Sequence, residues 1–179
     1  MKKMYVFLCG IVMMTLGFAA CSDDNGKVMD AYTEAEKKWI AENEEYFQAR
    51  LAEREDDGSF LYKRLVVDND TLLYRILSEG EGMHPTSTSN VKVSILGKLP
   101  VSNTIIAGES DETPIDDTLD LDSQYLIKGL AALLLEVRVG DRVETIIPYE
   151  LGYGDQNYTN PYIPLCSTLM FTFTVNSFE

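Results

Sequence analysis

The sequence predicts an α+β fold, one antiparallel β-sheet packed on a single short α-helix and preceded by an N-terminal amphipathic helix. Three observations carry the prediction. From Gly58 onward, β-branched and alternating runs dominate the chain. The one later apolar run that suits a helix is Tyr125 to Val137, because Ala131, Ala132 and its leucines prefer that state. Ahead of both lies a stretch with apolar residues at helical spacing and a recognisable start signal.

The chain opens on an address. Lys2 and Lys3 precede seventeen apolar or small residues, Met4 to Ala20, which reads as a secretory signal rather than a span. Phe18-Ala19-Ala20-Cys21 is similar to a bacterial lipobox, in which the chain is cut before the cysteine and the cysteine takes lipid. Residues 1–20 are therefore expected to be a lipoprotein signal peptide and Cys21 the lipidation site. An ordinary signal peptide or a short membrane anchor is the plainer alternative. On this reading the protein is held in the cell envelope by its N-terminal lipid, in the outer membrane, facing the periplasm or the surface. Acidic residues after Cys21 keep the surface open. Cleavage removes Cys9 and two lysines, leaving 13 basic against 29 acidic residues, a net charge of −16. Only Cys166 would then remain unmodified, so no intramolecular disulfide is expected.

Residues 21–30 are small, polar and acidic, and read as a tether. Thr33-Glu34-Ala35-Glu36 fits a capping box with Thr33 as N-cap. Helix-favouring residues continue to about Glu55, with Trp39, Ile40, Phe47 and Leu51 at roughly helical spacing. Asp56-Asp57-Gly58 is a stop, Gly58 being able to take the left-handed conformation. The N-terminal helix thus occupies residues 31–57 and the main domain 58–179. The helix either packs on its own domain, or forms a homodimer contact, or stands as a solvated spacer.

Within the main domain, Phe60 to Val67, Thr71 to Leu77, Val91 to Leu99 and Thr104 to Ile106 read as strands, separated by Gly, Pro, Ser and Asn loops. Residues 108–123 are acidic and turn-rich. After the helix, Gly140-Asp141 opens a turn and Val143 to Ile147 is a strand. Pro148 to Leu165 is a long irregular stretch. Thr168 to Val175 closes the chain, with Leu169, Phe171, Phe173 and Val175 on one face.

The composition narrows the function. At 45% hydrophobic and 10% aromatic residues, the chain can bury a core. Its net charge of −14 disfavours nucleic acid as a partner, since phosphate neutralisation needs clustered Lys and Arg. One histidine and three cysteines make a Cys/His zinc site implausible. His84 lies in a Gly/Pro/Ser/Thr loop and reads as a surface side chain without an evident partner. Asp116 to Asp122 lacks the glycine and distal glutamate of a calcium loop. Cys166 has neither base nor helix N-terminus beside it to make it a nucleophile, and reads as a buried thiol. Gly152-Tyr153-Gly154 lacks the strand-loop-helix setting of a phosphate loop. No cofactor and no metal are expected. An apolar, aromatic-rich C-terminal half suits binding, or a reaction without proton transfer.

The C-terminal segments also carry a resemblance. Leu126-Ile127-Lys128-Gly129-Leu130, Val139-Gly140-Asp141, Ile146-Ile147-Pro148, Leu151-Gly152-Tyr153-Gly154, Ile163-Pro164 and Thr168-Leu169-Met170-Phe171 follow one another at close spacings. The ordered set, with the Val91 to Gly97 strand before it, resembles the FKBP-type peptidyl-prolyl cis-trans isomerases over roughly residues 71–178. That resemblance implies a bent antiparallel sheet wrapped on a short helix, with an apolar pocket between them. It implies rotation of X–Pro bonds, with proline-containing polypeptides as partners. Tyr153 matches the catalytic hydroxyl at the pocket rim. Ile127 matches a wall residue whose backbone N–H meets the substrate, and Phe171 matches a wall from the last strand. Leu130 stands at the family's Trp floor, Ile95 at a pocket Tyr, and Ile105-Ile106 at Phe-Asp. Ile163-Pro164-Leu165 keeps one of two prolines. Leu130, Ile105 and Ile163 complete the implied substrate-binding set. The rival reading is a non-catalytic module that keeps the fold and binds apolar peptides as a chaperone. A third is a surface-interaction lipoprotein that depends on its acidic face and N-terminal helix.

Overall fold

The computed structural model describes residues 31–110 and 112–179. The expected signal 1–20, the tether 21–30 and Cys21 lie outside the described residues.

Helix α1, Glu34–Ala52, begins with the capping box read from the sequence. The Glu36 amide donates to Thr33 Oγ1 at 3.3 Å, and the Thr33 amide donates to the Glu36 carboxylate at 2.8 Å. The Thr33 hydroxyl, which donates to the Glu36 carboxylate at 2.7 Å, and secondarily the Thr33 amide hold that carboxyl below its usual range. The helix stops at Glu53, which is extended, and not near Glu55. Arg50 pairs with Glu53, and the Leu61 amide donates to the Glu53 carbonyl at 3.0 Å. The returning chain thereby takes up the backbone group that another helical turn would need. Gly58 does adopt a positive φ of 84°, but in the turn between Arg54 and Phe60, which bridge each other, rather than at the helix end.

Nine strands follow among the described residues. They are β1 Lys63–Val67, β2 Asp70–Ser78, β3 Asn90–Leu99, β4 Thr104–Ala107, β5 Ile115–Asp120, β6 Arg142–Ile147, β7 Tyr158–Thr159, β8 Tyr162–Ile163 and β9 Leu169–Phe178. Helix α2 spans Lys128–Glu136. The main sheet is antiparallel, in the order β1-β2-β6-β9-β3-β4, with β5 also paired to β3; β7 and β8 form a separate hairpin. Strand β5 lies in the stretch read as acidic turn. Its Asp116, Asp117 and Asp120 are exposed while Ile115 and Leu119 are half-buried. Charges on an edge strand discourage a further strand from adding there, and they hide the strand from a pattern search. The short β7–β8 hairpin lies in the stretch read as irregular.

Each face of the sheet buries a different partner. Leu72, Val91, Val93, Val143, Phe171 and Phe173 face Leu130, Leu133 and Leu134 of α2 in one apolar cluster. On the other face, Leu73 and Ile146 pack with Phe47 of α1 and Tyr62. Helix α1 therefore packs on its own domain and covers the part of the second face around Leu73 and Ile146. Its contact stripe contains a residue the apolar pattern passes over. Asn43 is buried. Its Oδ1 accepts from the Thr168 amide at 2.8 Å, and its side-chain amide donates to the Trp39 carbonyl at 2.8 Å. The Trp39 indole donates to Ser167 Oγ at 3.2 Å. These bonds moor the helix to the start of β9.

Candidate active site

The implied site residues come from five places in the fold: α2, the loop that carries Tyr153, and strands β4, β8 and β9. Ile127 is the N-cap of α2, with φ −62° and ψ 139°, and accepts from the Ala131 amide at 3.1 Å. No side chain caps this end, and among the described residues the Ile127 N–H has no partner. Gly129 lets the helix lie close to the sheet. A Cβ there would come within 2.6 Å of Ile147 Cγ2 and 3.2 Å of the Leu151 carbonyl. Phe171 faces inward from β9, opposite Gly97 of β3. A Cβ on Gly97 would stand 2.5 Å from the Phe171 ring, so the glycine makes room for the aromatic wall.

Tyr153 follows a 3-10 turn, Tyr149–Leu151, whose Leu151 is buried. The Gly152 and Gly154 amides both donate to the Tyr149 carbonyl, at 3.0 and 2.9 Å. The Cys166 amide donates to the Gly154 carbonyl at 3.0 Å. Cys166 itself is buried and has a φ of 52°, so its backbone fixes the tyrosine loop.

Ile127, Leu130, Ile163, Phe171 and Ile95 belong to one cluster and are each 8% exposed or less. Tyr153 packs on that cluster from outside, half-buried. Its ring lies 4.6 Å from that of Tyr158, tilted by 35°. Burial, and secondarily the Tyr158 hydroxyl, push the Tyr153 phenol above its usual range. It therefore keeps its proton throughout the neutral range, and its hydroxyl makes no hydrogen bond among the described residues.

Ile105 stands apart from this group. It pairs with Lys98 on the outward face of the sheet, and Ile106 is the neighbour that packs on the cluster. An irregularity between Gly97 and Lys98 shifts the register there, which counting along the sequence cannot detect. Tyr158 carries no sequence signal, because a two-residue strand leaves no periodicity. His84 is exposed, but its Nε2 accepts from Arg138 Nε at 3.0 Å, so the partner absent from the sequence pattern is present in space. A hollow of about 410 Å³ opens on the outward face, lined by Ser94, Leu96, Lys98, Arg142, Met170 and Thr172. None of the implied site residues lines it, so size alone does not mark the site. Among the described residues, no three His, Cys, Asp or Glu side chains gather to hold a metal ion.

A profile of the FKBP-type peptidyl-prolyl cis-trans isomerases matches residues 81–176, more than half of the chain. The chain belongs to the FKBP-type peptidyl-prolyl cis-trans isomerase family. It is 32% identical over 141 residues to a probable FKBP-type peptidyl-prolyl cis-trans isomerase of Haemophilus influenzae, covering 79% of this chain and 53% of that one. It is 33% identical over 104 residues to the FKBP-type 22 kDa peptidyl-prolyl cis-trans isomerase of Escherichia coli, covering 56% and 46%. The chain thus spans about half the length of these relatives. Among solved structures, a peptidyl-prolyl cis-trans isomerase of Pseudomonas syringae shares the fold at 22% identity and a TM-score of 0.57, over 84% of this chain and 96% of that one. FkpA of Escherichia coli does so at 22% identity and a TM-score of 0.60, over 87% and 68%. The FKBP-type profile begins at residue 81, so α1, β1 and β2 precede the stretch it covers.

Proposed function

We propose that the chain is a peptidyl-prolyl cis-trans isomerase acting on X–Pro bonds of exported proteins at the Tyr153 rim. The observation that supports this most directly is a protonated, unpartnered phenol seated on the apolar cluster of Ile127, Leu130 and Phe171. Rotation of a peptide bond meets a barrier of about 18–20 kcal/mol from amide resonance. The planar amide is the more polar form, and twisting it removes resonance. Apolar walls that displace water favour the twisted form over the planar one, which is differential binding of the transition state. The Tyr153 hydroxyl and the Ile127 N–H supply donors for carbonyls of the twisted peptide. No proton moves, so no acid, base or nucleophile is called for.

Replacing Tyr153 by Phe removes one neutral hydrogen bond, worth about 0.5–1.5 kcal/mol. A threefold to tenfold fall in kcat/KM, roughly what that energy converts to, is expected in a proline-limited refolding assay. The wild-type rate is expected to be flat with pH below the usual tyrosine value of about 10. A Tyr153→Phe rate equal to wild type would remove the hydroxyl from the mechanism.

A second reading is favoured by the tight burial of Leu130, Ile163 and Phe171. In it the same surface binds apolar peptides without turning them over. Wild-type protein that binds a proline peptide but accelerates nothing would select that reading. For location, the N-terminal sequence supports a lipid anchor at Cys21 in the cell envelope. Radioactive palmitate should label the expressed chain and not its Cys21→Ala variant; labelling of both would overturn the anchor.

A further inference from the structure

The phenol that would meet the substrate has no polar partner to aim it. Tyr153 is half-buried, and its hydroxyl makes no hydrogen bond among the described residues. The backbone just after it is not braced either. Gly154 has a φ of 78°, and a Cβ there would meet nothing within 4 Å. The ring is therefore set by what it touches, which is the apolar cluster and the Tyr158 ring, 4.6 Å away and tilted by 35°. We propose that Tyr158 is a positioning residue, whose ring holds the Tyr153 ring in the orientation that presents its hydroxyl to the substrate. The proposal rests on the isomerase reading and adds to it a residue that acts through Tyr153 rather than on the peptide.

A positioning residue must itself be fixed, and Tyr158 is fixed through its backbone. Residues 154–166 leave the tyrosine loop and return to the start of β9, tied across at three levels. The Cys166 amide donates to the Gly154 carbonyl at 3.0 Å. The Leu165 amide donates to Asn157 Oδ1 at 3.0 Å. Tyr158 pairs with Ile163 in the β7–β8 hairpin. Ile163, Leu165 and Cys166 are buried while residues 155–159 are exposed. The returning limb thus belongs to the core, and the limb that carries Tyr158 hangs on it.

Exposure separates this role from a packing one. Tyr158 is 44% exposed and belongs to neither apolar cluster, so its ring contributes little to the core. Among the described residues its ring contact is with Tyr153. Aromatic pairs favour centroids about 4.5–7 Å apart, and this pair sits at the close end. The proximity is felt electrostatically as well, since Tyr158 adds to burial in raising the Tyr153 phenol.

The test measures kinetics on a proline peptide with the full-length chain, Tyr158→Ala, Tyr158→Phe, Tyr153→Phe and the Tyr153→Phe/Tyr158→Ala double variant. Tyr158→Ala is expected to lower kcat about threefold to tenfold, the scale of the one hydrogen bond it misaligns. KM and the urea midpoint should move little, because that bond is made to the twisted peptide. Tyr158→Phe keeps the ring and should restore the rate. In the Tyr153→Phe background, Tyr158→Ala should cost nothing further, because a residue that acts through the hydroxyl has nothing left to act on. Equal losses in the two backgrounds would mean that Tyr158 acts on the peptide or on the fold, and would overturn the proposal. A wild-type rate in Tyr158→Ala would overturn it too.

A spectroscopic readout stands apart from catalysis. The chain has ten tyrosines, and the Tyr153→Phe variant identifies the Tyr153 ring signals in the NMR spectrum of protein labelled with 13C-tyrosine. Those signals are expected to be shifted upfield by the neighbouring ring, to lose that shift in Tyr158→Ala and to keep it in Tyr158→Phe. Signals unmoved by Tyr158→Ala would overturn the positioning role even in an active isomerase. Wild type that accelerates nothing would overturn the isomerase reading alone, and the ring signals would still decide whether Tyr158 sets Tyr153.

Discussion

Phe171→Ala is expected to lower the stability of the protein by about 3–5 kcal/mol, the usual cost of emptying a buried aromatic site, and to abolish rate acceleration. Phe171 is buried in β9, between β6 and β3. Strand β3 can approach its ring because position 97 has no side chain. Removing the ring leaves a void that the glycine cannot fill, next to Ile127 and Leu130 of the same cluster. Urea unfolding gives the stability loss. Loss of activity could reflect unfolding alone, so Phe171→Leu is the control. It keeps most of the volume and should fold, yet lack the flat aromatic wall, so kcat/KM falls while the unfolding midpoint moves little. Full activity in a folded Phe171→Leu protein would take the aromatic ring out of the mechanism.

Asp141→Ala should be comparably damaging, by about 3–5 kcal/mol, for a reason that is polar rather than apolar. Asp141 is buried at the turn between α2 and β6. Its Oδ1 accepts from the Gly80 amide at 2.6 Å and its Oδ2 from the Arg138 amide at 2.8 Å. Each charge-assisted bond is worth about 1.5–3 kcal/mol, and the amides left behind are costly to bury unpaired. The close approach is built in, since a Cβ on Gly80 would stand 2.3 Å from the Val139 carbonyl. Asp141→Asn should recover only part of the loss, because an amide offers one acceptor oxygen where the carboxylate offers two. A loss below about 1 kcal/mol on Asp141→Ala, within the range of an ordinary surface change, would mean the turn holds without the clamp.

The parts of the fold legible in the sequence are those where one physical rule acts alone. β9 alternates because one face meets the core, and the buried Leu169, Phe171, Phe173 and Val175 show it. The start of α1 is legible because Thr33 and Glu36 satisfy each other locally. Legibility fails where two demands compete. β5 carries aspartates because it is an edge, and reads as a loop. Asn43 fills the middle of a packing stripe with a polar group because the Thr168 amide needs an acceptor there. In the candidate site, motif order points to Tyr153, Ile127 and Phe171, and the fold brings the three to one apolar cluster. Ile106 rather than Ile105 packs on that cluster, beside a break in register that only pairing reveals. Tyr158 reaches Tyr153 through a hairpin too short to leave a periodic signal, and Trp39 packs on the same cluster from a helix more than a hundred residues upstream, a distance no local pattern encodes.

The position of β9 has a consequence for how the chain is made. Strand β9 lies in the middle of the sheet, between β6 and β3, and Thr168, just before it, moors a helix at Asn43, 125 positions upstream. A ribosome delivers that helix first and its mooring last. Until Thr168 and the strand after it have emerged, β3 and β6 have no neighbour between them and Phe47 has no finished surface to cover. Closure of such distant contacts is slow and leaves apolar edges open meanwhile. The domain is thus completed late, with helix α1 waiting through the synthesis of nearly everything it will hold together.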